Sequence, residues 1–400
     1  MKVTYLLALT CLVLAGCSRP AARPVESPVA PLLGAMGTAT SREALTRTID
    51  TLRQKMAASP DDAASAVRLA DALLRQTRVA GNAGLALEAE RVLVRALAAD
   101  ASRYDARRML AATFLSQHRF ADALREAERC RAMRQDDAWI DGVIGDAHLE
   151  RGEYDDAFTA FDRMVAARPN AAAYARISYA RELQGDLPEA LRIMQMAADA
   201  TSAQDAESLA WHHAQLGHLH LELGQTAEAR REYLHADHVF PGHPFAIAGL
   251  AHVAAAEGDT PRALTILNGV LASAPTPADL AFAGDLLAAM GQQDEAERHY
   301  RLAEAAWRTD MPEPSRLARF LAVHGRKLDE AIALADQAQA DRNDIFTADA
   351  LAWASFQTGR LDQAKAAIAD ALRTGTRDRL IRAHAAAIAR ATGDATQARR

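Results

Sequence analysis

Apolar residues along most of this chain recur every three or four positions, in blocks that short polar turns separate. The blocks at Trp139–Arg151 and Asp155–Ala167 both have this spacing, with Gly152 between them and Pro169 after the second. Apolar residues at three- and four-residue spacing indicate amphipathic helices. Glycine favours a turn after a helix, and proline stops one. The pattern therefore predicts two helices joined by a tight turn.

This helix–turn–helix block repeats with a period close to 34 residues. Glycines mark the turns, at Gly152, Gly185, Gly224, Gly258, Gly291, Gly325, Gly359 and Gly393. Steps of 34 back from Gly152 reach His118 and then Gly84. An alanine follows most marks five residues later, and a proline follows three of them at seventeen. A fixed period of this length predicts an all-α fold, an α-α superhelical solenoid of about nine to ten helix pairs.

These marks resemble the tetratricopeptide repeat, whose unit has a small residue at position 8, glycine at 15, alanine at 20, a large residue at 24 and proline at 32. Two units match at all five positions, with Gly145, Gly152, Ala157, Phe161 and Pro169 in one and Gly217, Gly224, Ala229, Tyr233 and Pro241 in the other. The resemblance covers about residues 61–400 and implies a scaffold that binds other proteins. A 39-residue step before Gly224 departs from the period and predicts an insertion near Ser202–Asp205.

The N-terminal residues have the pattern of an export signal. Lys2 precedes an apolar run at Val3–Val13, and Leu14–Cys17 ends it with small residues. This ending resembles the bacterial lipobox, which implies a signal peptide at 1–16 and a lipid such as palmitate on Cys17. Ser18 after it implies transport to the outer membrane. An ordinary cleaved signal with a chance cysteine is the alternative, while the apolar run is too short for a transmembrane helix.

Two further segments precede the repeats. Residues 17–40 have four prolines and few large apolar residues, which predicts a disordered, Pro-rich tether. Residues 41–60 predict an amphipathic helix that caps the first repeat, and the repeat solenoid follows at 61–400.

Composition limits the kind of function. The formal net charge is −6, and removing Lys2 with the signal makes it −7, which argues against nucleic-acid binding. No phosphate-binding loop, nucleophile elbow or metalloprotease motif is present. Cys130 lies where the repeat places a small buried residue, which predicts a packed thiol. We therefore expect no enzyme activity, no catalytic residue, no cofactor and no small-molecule substrate.

The tetratricopeptide resemblance implies a concave face formed by the first helix of each pair. The candidate partner-binding residues at its positions are Trp139, Tyr179, Trp211, His218, Phe245, His252, Phe320, Phe346, Trp353 and Phe356. Asp146, Glu150 and Glu222 occupy positions on the same face. Aromatic anchors with a few polar groups are typical of a peptide-binding groove. The alternative is that these rings fill space between adjacent first helices.

Eight of the thirteen histidines fall between His212 and His252. The candidates for a metal- or pH-responsive site are His213, His220, His235 and His238. No carboxylate or cysteine completes a recognised ligand spacing, so the alternative is chance enrichment in a tolerant region.

The sequence thus favours a non-enzymatic, lipid-anchored scaffold that binds protein or peptide partners at the bacterial cell envelope, at the outer membrane facing the periplasm. The alternative function is a metal- or pH-responsive envelope binding protein that uses the histidine cluster.

The lipobox resemblance gives a direct prediction. In cells, Cys17→Ala should abolish labelling by a palmitate analogue and reduce membrane retention, because the lipid-bearing thiol is removed. Cys130→Ala is the matched control and should leave labelling intact. Unchanged labelling of the Cys17→Ala chain would contradict the lipobox.

Overall fold

The computed structural model describes residues 41–273, 275–309 and 313–393. The described residues form twenty α-helices and no β-strand. The helices are α1 (Arg42–Ala58), α2 (Ala63–Ala80), α3 (Gly84–Ala99), α4 (Tyr104–Ser116), α5 (Phe120–Met133), α6 (Ala138–Glu150), α7 (Tyr154–Ala167), α8 (Ala171–Leu183), α9 (Leu187–Asp199), α10 (Ala206–Glu222), α11 (Thr226–Val239), α12 (Pro244–Ala256), α13 (Thr260–Ser273), α14 (Pro277–Ala289), α15 (Gln293–Thr309), α16 (Pro314–Val323), α17 (Leu328–Gln339), α18 (Ile345–Gln357), α19 (Leu361–Ala371) and α20 (Arg379–Thr392).

The helices from α2 to α19 form nine antiparallel pairs, and each pair packs on the next. The predicted all-α superhelical solenoid is confirmed. Helix α1 buries Leu45, Ile49 and Leu52 and packs on α2, within the segment that we expected to cap the first repeat. The predicted signal peptide, the Pro-rich tether and Cys17 lie outside the described residues, as do residues 394–400 of the expected solenoid.

Small residues let the two helices of a pair approach closely. A Cβ atom added to Gly145 on α6 would lie 2.3 Å from the Phe161 ring on α7, and one added to Gly217 on α10 would lie 2.8 Å from the Tyr233 ring on α11. Ala157 is fully buried on α7. The repeat positions that the sequence marked as small and large are therefore partners in one close contact between helices.

The turns between paired helices share a left-handed backbone. All eight marker glycines from Gly152 to Gly393 have positive φ. His118 occupies the same place in the period without being glycine, and its φ is also positive, at 57°. Gly84 was wrongly placed as a turn residue, because it begins α3 and the left-handed residue of that unit is Gly81, with φ of 63°. The turn at residues 81–83 is as long as the one at 151–153, but α3 has 16 residues where α5 has 14, which places the first turn earlier than the period predicts.

The extra residues before Gly224 form a turn and lengthen one helix. Residues Ser202–Asp205 lie between α9 and α10. Helix α10 has 17 residues, whereas α8 and α12 have 13 each. The insertion predicted at this place is therefore present, and it extends a helix without breaking the stack.

The superhelix winds so tightly that its successive coils touch. At the main contact the backbone N–H of Asn343 donates to the carbonyl of Arg151 at 3.1 Å, and the N–H of Ile345 donates to the Tyr154 hydroxyl at 3.0 Å. Arg342 lies 2.6 Å from the Glu150 carboxylate. These residues, together with Glu313, are called the coil junction below, because they join chain segments about 190 residues apart.

A second junction joins the start of the solenoid to its middle. The buried guanidinium of Arg75 on α2 lies 2.8 Å from Asp205 and 3.4 Å from Glu207, at the start of α10. Arg78 pairs with the same Glu207 at 2.7 Å. Burying these charges is tolerable only because each has an opposite partner. This junction holds α2 against the start of α10.

The close packing of paired helices predicts that a larger residue at Ala157 is destabilising. Ala157→Leu should lower the free energy of unfolding by about 1–3 kcal/mol, because the added atoms cannot fit at the α6–α7 contact. Ala166→Leu makes the same change at an exposed position of the same helix and should change stability little. Denaturant unfolding of the two variants measures the difference. Equal stability of both variants would show that the assigned register is wrong.

Candidate binding surface inside the superhelix

Carboxylates line much of the inner face. Two adjoining pockets there open to solvent. The first pocket includes Asp146 and Glu150, and the second includes Glu222 and Asp378. The side chains that line both pockets are Tyr179, Glu182 and Gln215. Helices α6, α8 and α10 supply the first pocket, and coiling of the chain brings the segment before α20 to the second.

Arginines neutralise the carboxylates of the first pocket. Arg176 on α8 contacts Asp146 on α6 through two nitrogens, with a shortest distance of 2.7 Å. Burial nevertheless raises the pKa of Asp146 to about 6, since the favourable contact with Arg176 does not fully offset the loss of water. Glu150 pairs with Arg342 across the coil junction. The first pocket therefore holds internal ion pairs and little uncompensated charge.

The second pocket is more acidic. Burial alone would lower the pKa of His218, but Glu182, which accepts a hydrogen bond from its Nε2 at 2.9 Å, raises it to about 9 with help from Glu222 and Asp378. Burial raises the pKa of Glu222, and the neighbouring Asp378 adds to this effect. The pKa values of His218 and Glu222 are both raised, as expected where several carboxylates lie close together.

Four of the ten predicted groove residues are buried, although Trp211 lines the first pocket and His218 lines the second. Trp139, Trp211, His218 and Phe320 are each less than 9% exposed. The Trp139 ring has the Arg108 guanidinium 4.0 Å from its centroid, and Phe320 packs against Trp307 at a centroid distance of 4.9 Å. The contacts of Trp139 and Phe320 are thus with the neighbouring helices α4 and α15.

The other six predicted groove residues are partly exposed, namely Tyr179, Phe245, His252, Phe346, Trp353 and Phe356. Several of them also contact the adjoining unit. The His252 ring stacks on Phe282 at 3.9 Å, and the Trp353 ring stacks on His384 at 4.0 Å. Only Tyr179 and Phe346 line a described pocket. The structure therefore separates one aromatic pair beside the acidic pocket from rings that mainly bridge repeats.

The histidine candidates for a metal site do not converge. His213 and His235 lie close, with ring centroids 4.1 Å apart, and His213 pairs with Glu232 at 2.8 Å. His220 pairs instead with Gln225 at 2.6 Å. His238 is exposed. Within residues 41–273, 275–309 and 313–393, no three His, Cys, Asp or Glu side chains are arranged to hold a metal ion.

Cys130 is fully buried and unpaired with another cysteine among the described residues. Burial raises the pKa of its thiol to about 12, so it stays protonated at neutral pH. The interpretation as a packed thiol is confirmed.

Sequence reasoning missed several residues of the inner face. Glu182 lies three residues before Gly185, the same place that the candidate Phe356 has before Gly359, so the repeat map could have identified it. Gln215 lies at position 6, which that map does not assign to the concave face. Asp378 caps the N-terminus of α20, where its carboxylate accepts from the N–H groups of Leu380 and Ile381 at 2.9 Å. Nothing in the local sequence shows that Asp378 faces α10.

Comparison with known proteins agrees with this architecture. The family model described as tetratricopeptide repeat matches residues 143–205. The human IFIT1 dimer with m7Gppp-AAAA is 12% identical, with a TM-score of 0.52, covering 84% of this chain and 77% of that one. Yeast Tom70 is 15% identical over 88% of this chain and 86% of its own, with a TM-score of 0.46. A tetratricopeptide repeat protein from Parabacteroides merdae ATCC 43184 is 16% identical over 65% and 93%, with a TM-score of 0.43.

A search of curated proteins finds no match to the chain. The repeats and the fold nevertheless define the class: the chain is an α-helical repeat solenoid, and its residues 143–205 match the tetratricopeptide repeat. Tetratricopeptide repeats commonly serve as protein-interaction scaffolds. None of the helices in the described residues is long and apolar enough to cross a bilayer.

Two buried histidines beside the second junction make stability sensitive to acid. His212 on α10 lies 3.1 Å from the Thr201 hydroxyl, and His243 precedes α12. Burial lowers the pKa of His212 to about 3 and that of His243 to about 4, and the carboxylate of Glu207 only partly opposes this. Both rings are therefore neutral in the folded chain at pH 5.

We expect the free energy of unfolding to fall as the pH is lowered from 6.5 towards 4. Over this range the unfolded chain takes up protons at both histidines and the folded chain does not, which contributes up to about 1.4 kcal/mol per pH unit for each ring. Urea unfolding at several pH values measures the slope. His243→Gln should make it shallower, while His238→Gln at an exposed ring should not. An unchanged slope in His243→Gln would contradict the assignment.

Proposed function

We propose that the chain is a non-enzymatic, lipid-anchored scaffold that holds protein or peptide partners against the inner face of its superhelix at the bacterial envelope. The observation that carries this proposal is the partly exposed aromatic pair, Tyr179 and Phe346, beside a pocket lined with hydrogen-bonding groups. Aromatic side chains give large contact area at low entropic cost, and nearby polar groups orient the bound chain.

The charge of the inner face favours a peptide over a nucleic acid. The human IFIT1 structure contains a capped oligonucleotide, m7Gppp-AAAA. Phosphate recognition requires positive charge. In this chain the second pocket has three carboxylates, Glu182, Glu222 and Asp378, against two cations, His218 and Arg377, and this balance disfavours phosphates. The similarity in fold to the IFIT1 structure therefore does not indicate that this chain binds the same class of ligand.

The envelope location is supported by the sequence before the repeats. Leu14–Cys17 provides the lipidation motif, and residues 17–40 would separate the solenoid from the bilayer as an extended tether. Two lipid chains or more give stable anchoring, since each buried methylene contributes about 0.8 kcal/mol. Ser18 after Cys17 supports the outer membrane as the destination. In this arrangement the scaffold would face the periplasm.

The proposal predicts that partners contact the inner face. A photo-reactive phenylalanine analogue at position 346, introduced in the host bacterium, should cross-link discrete envelope proteins. The same analogue at position 298, which is exposed on the outer helix α15, should not give those products. Mass spectrometry of the cross-linked bands identifies the partner in each case.

A second experiment measures partner binding by chains with substitutions on the inner and outer faces. Phe346→Ala combined with Phe356→Ala should weaken capture of the identified partner, because Phe346 lines the second pocket and Phe356 is a candidate groove residue on the same helix α18. Arg298→Ala on the outer face should leave it unchanged. Equal losses in the two variants, or cross-links from position 298 alone, would place binding elsewhere and contradict the proposal.

A further inference from the structure

The second pocket exists because distant parts of the chain meet. Gly185, after α8, approaches the segment before α20 so closely that an added Cβ would lie 2.5 Å from the Gly375 carbonyl oxygen. Glu182 and Gln215 from α8 and α10 then face Asp378 and Phe346 from the C-terminal units. We call this space the acidic chamber; the residues used below are Tyr179, Glu182, Gln215, Glu222, Phe346 and Asp378.

Three carboxylates line the chamber, Glu182, Glu222 and Asp378, against two lining cations, the protonated His218 and the exposed Arg377. His218 contacts Glu182 directly, at 2.9 Å. The nearest arginine nitrogen to Glu222 belongs to Arg379 and is 4.0 Å away, and the nearest to Asp378 belongs to Arg319, at 3.9 Å. Both distances are too long for a hydrogen bond. Glu222 and Asp378 therefore retain unused acceptor capacity toward the chamber.

A buried amide in the chamber also lacks a partner. Gln215 is 3% exposed and lines both pockets, and its side-chain Nε2 makes no hydrogen bond. Buried polar groups in folded proteins are normally paired. The unpaired N–H group of Gln215 needs a hydrogen-bond acceptor, whereas the carboxylates need hydrogen-bond donors. A ligand that pairs with both the carboxylates and the Gln215 amide must have a cationic hydrogen-bond donor and a carbonyl acceptor.

The walls of the chamber suit a flat cation. Tyr179 and Phe346 are partly exposed rings at its edge. The guanidinium of Arg319 already lies 4.8 Å from the Phe346 ring centroid, so this ring interacts with a guanidinium within the chain itself. Guanidinium groups stack on aromatic rings and donate in a planar fork to carboxylates. An ammonium group can satisfy the charge but not the planar geometry.

We propose that the acidic chamber binds an arginine side chain of a peptide partner, with its guanidinium between Glu222 and Asp378 and the Gln215 amide donating to a main-chain carbonyl of the same peptide. This inference rests on the proposed peptide-binding function and specifies its ligand chemistry. Under this proposal the inner face binds basic segments of partner proteins.

The test is isothermal titration of the full chain with a capped peptide, Ala-Ala-Arg-Ala-Ala. Its citrulline counterpart has nearly the same shape without the charge, and its lysine counterpart has the charge without the planar fork. The arginine peptide should bind, and the citrulline peptide should bind about tenfold more weakly or not at all, since charge-assisted hydrogen bonds are lost. Equal affinity for arginine and citrulline would overturn the proposal, and tighter binding of lysine would overturn the guanidinium assignment.

Two variants test the residues. Glu222→Gln keeps the side-chain shape and should weaken the arginine peptide about tenfold, and Gln215→Leu should weaken it without altering charge. Glu228→Gln removes an acidic group on the outer helix α11 and should change nothing. Thermal melting confirms that each variant is folded. Wild-type affinity in both Glu222→Gln and Gln215→Leu would overturn the proposal.

The cross-linking and the peptide titration together distinguish a failure of this inference from a failure of the proposed function. If position 346 cross-links partners but the arginine peptide does not bind, the chamber proposal fails alone and the scaffold stands. If neither occurs, the peptide-binding function itself is contradicted.

Discussion

The contact between successive coils is the constraint on which the rest of this structure depends. Arg342 lies among the carboxylates of Glu150, Glu313 and Asp344, and all four side chains are buried or nearly so. Taking such charges out of water is costly, and losing one partner leaves the others uncompensated. The junction therefore favours one relative placement of the coils. That placement turns an open concave face into a pair of pockets.

Enclosure changes what a solenoid of this class can recognise. In an open groove most first-helix side chains would face solvent, but here Trp139, Trp211 and Phe320 pack inside. The remaining access is narrow and acidic around Glu182 and Glu222. Specificity in such a site comes from satisfying its charges and its buried amide, because a mismatched ligand would leave those groups unpaired.

The period of the sequence was enough to predict the helices and their pairing. Gly145 and Phe161 lie sixteen residues apart at fixed repeat positions, and the structure shows them in direct contact. Such contacts are local in sequence, so each unit encodes its own packing. The coil junction is different because Arg342 meets Glu150 across 192 residues. Its position depends on small rotations summed over many units, which no single repeat specifies. Asp378 lies in the chamber for this same reason.

A distance measurement across the coil junction tests this account most directly. Spin labels at Asp155→Cys and Asp341→Cys would occupy exposed positions on the two facing coils, beside the bond between Tyr154 and Ile345. The buried Cys130 should stay unlabelled, and Cys17 would be replaced by serine. The account predicts one short, narrow distance distribution in the full chain, which broadens and lengthens in Arg342→Met. A long or broad distribution in the parent would show that the coils do not touch and would contradict the enclosed chamber.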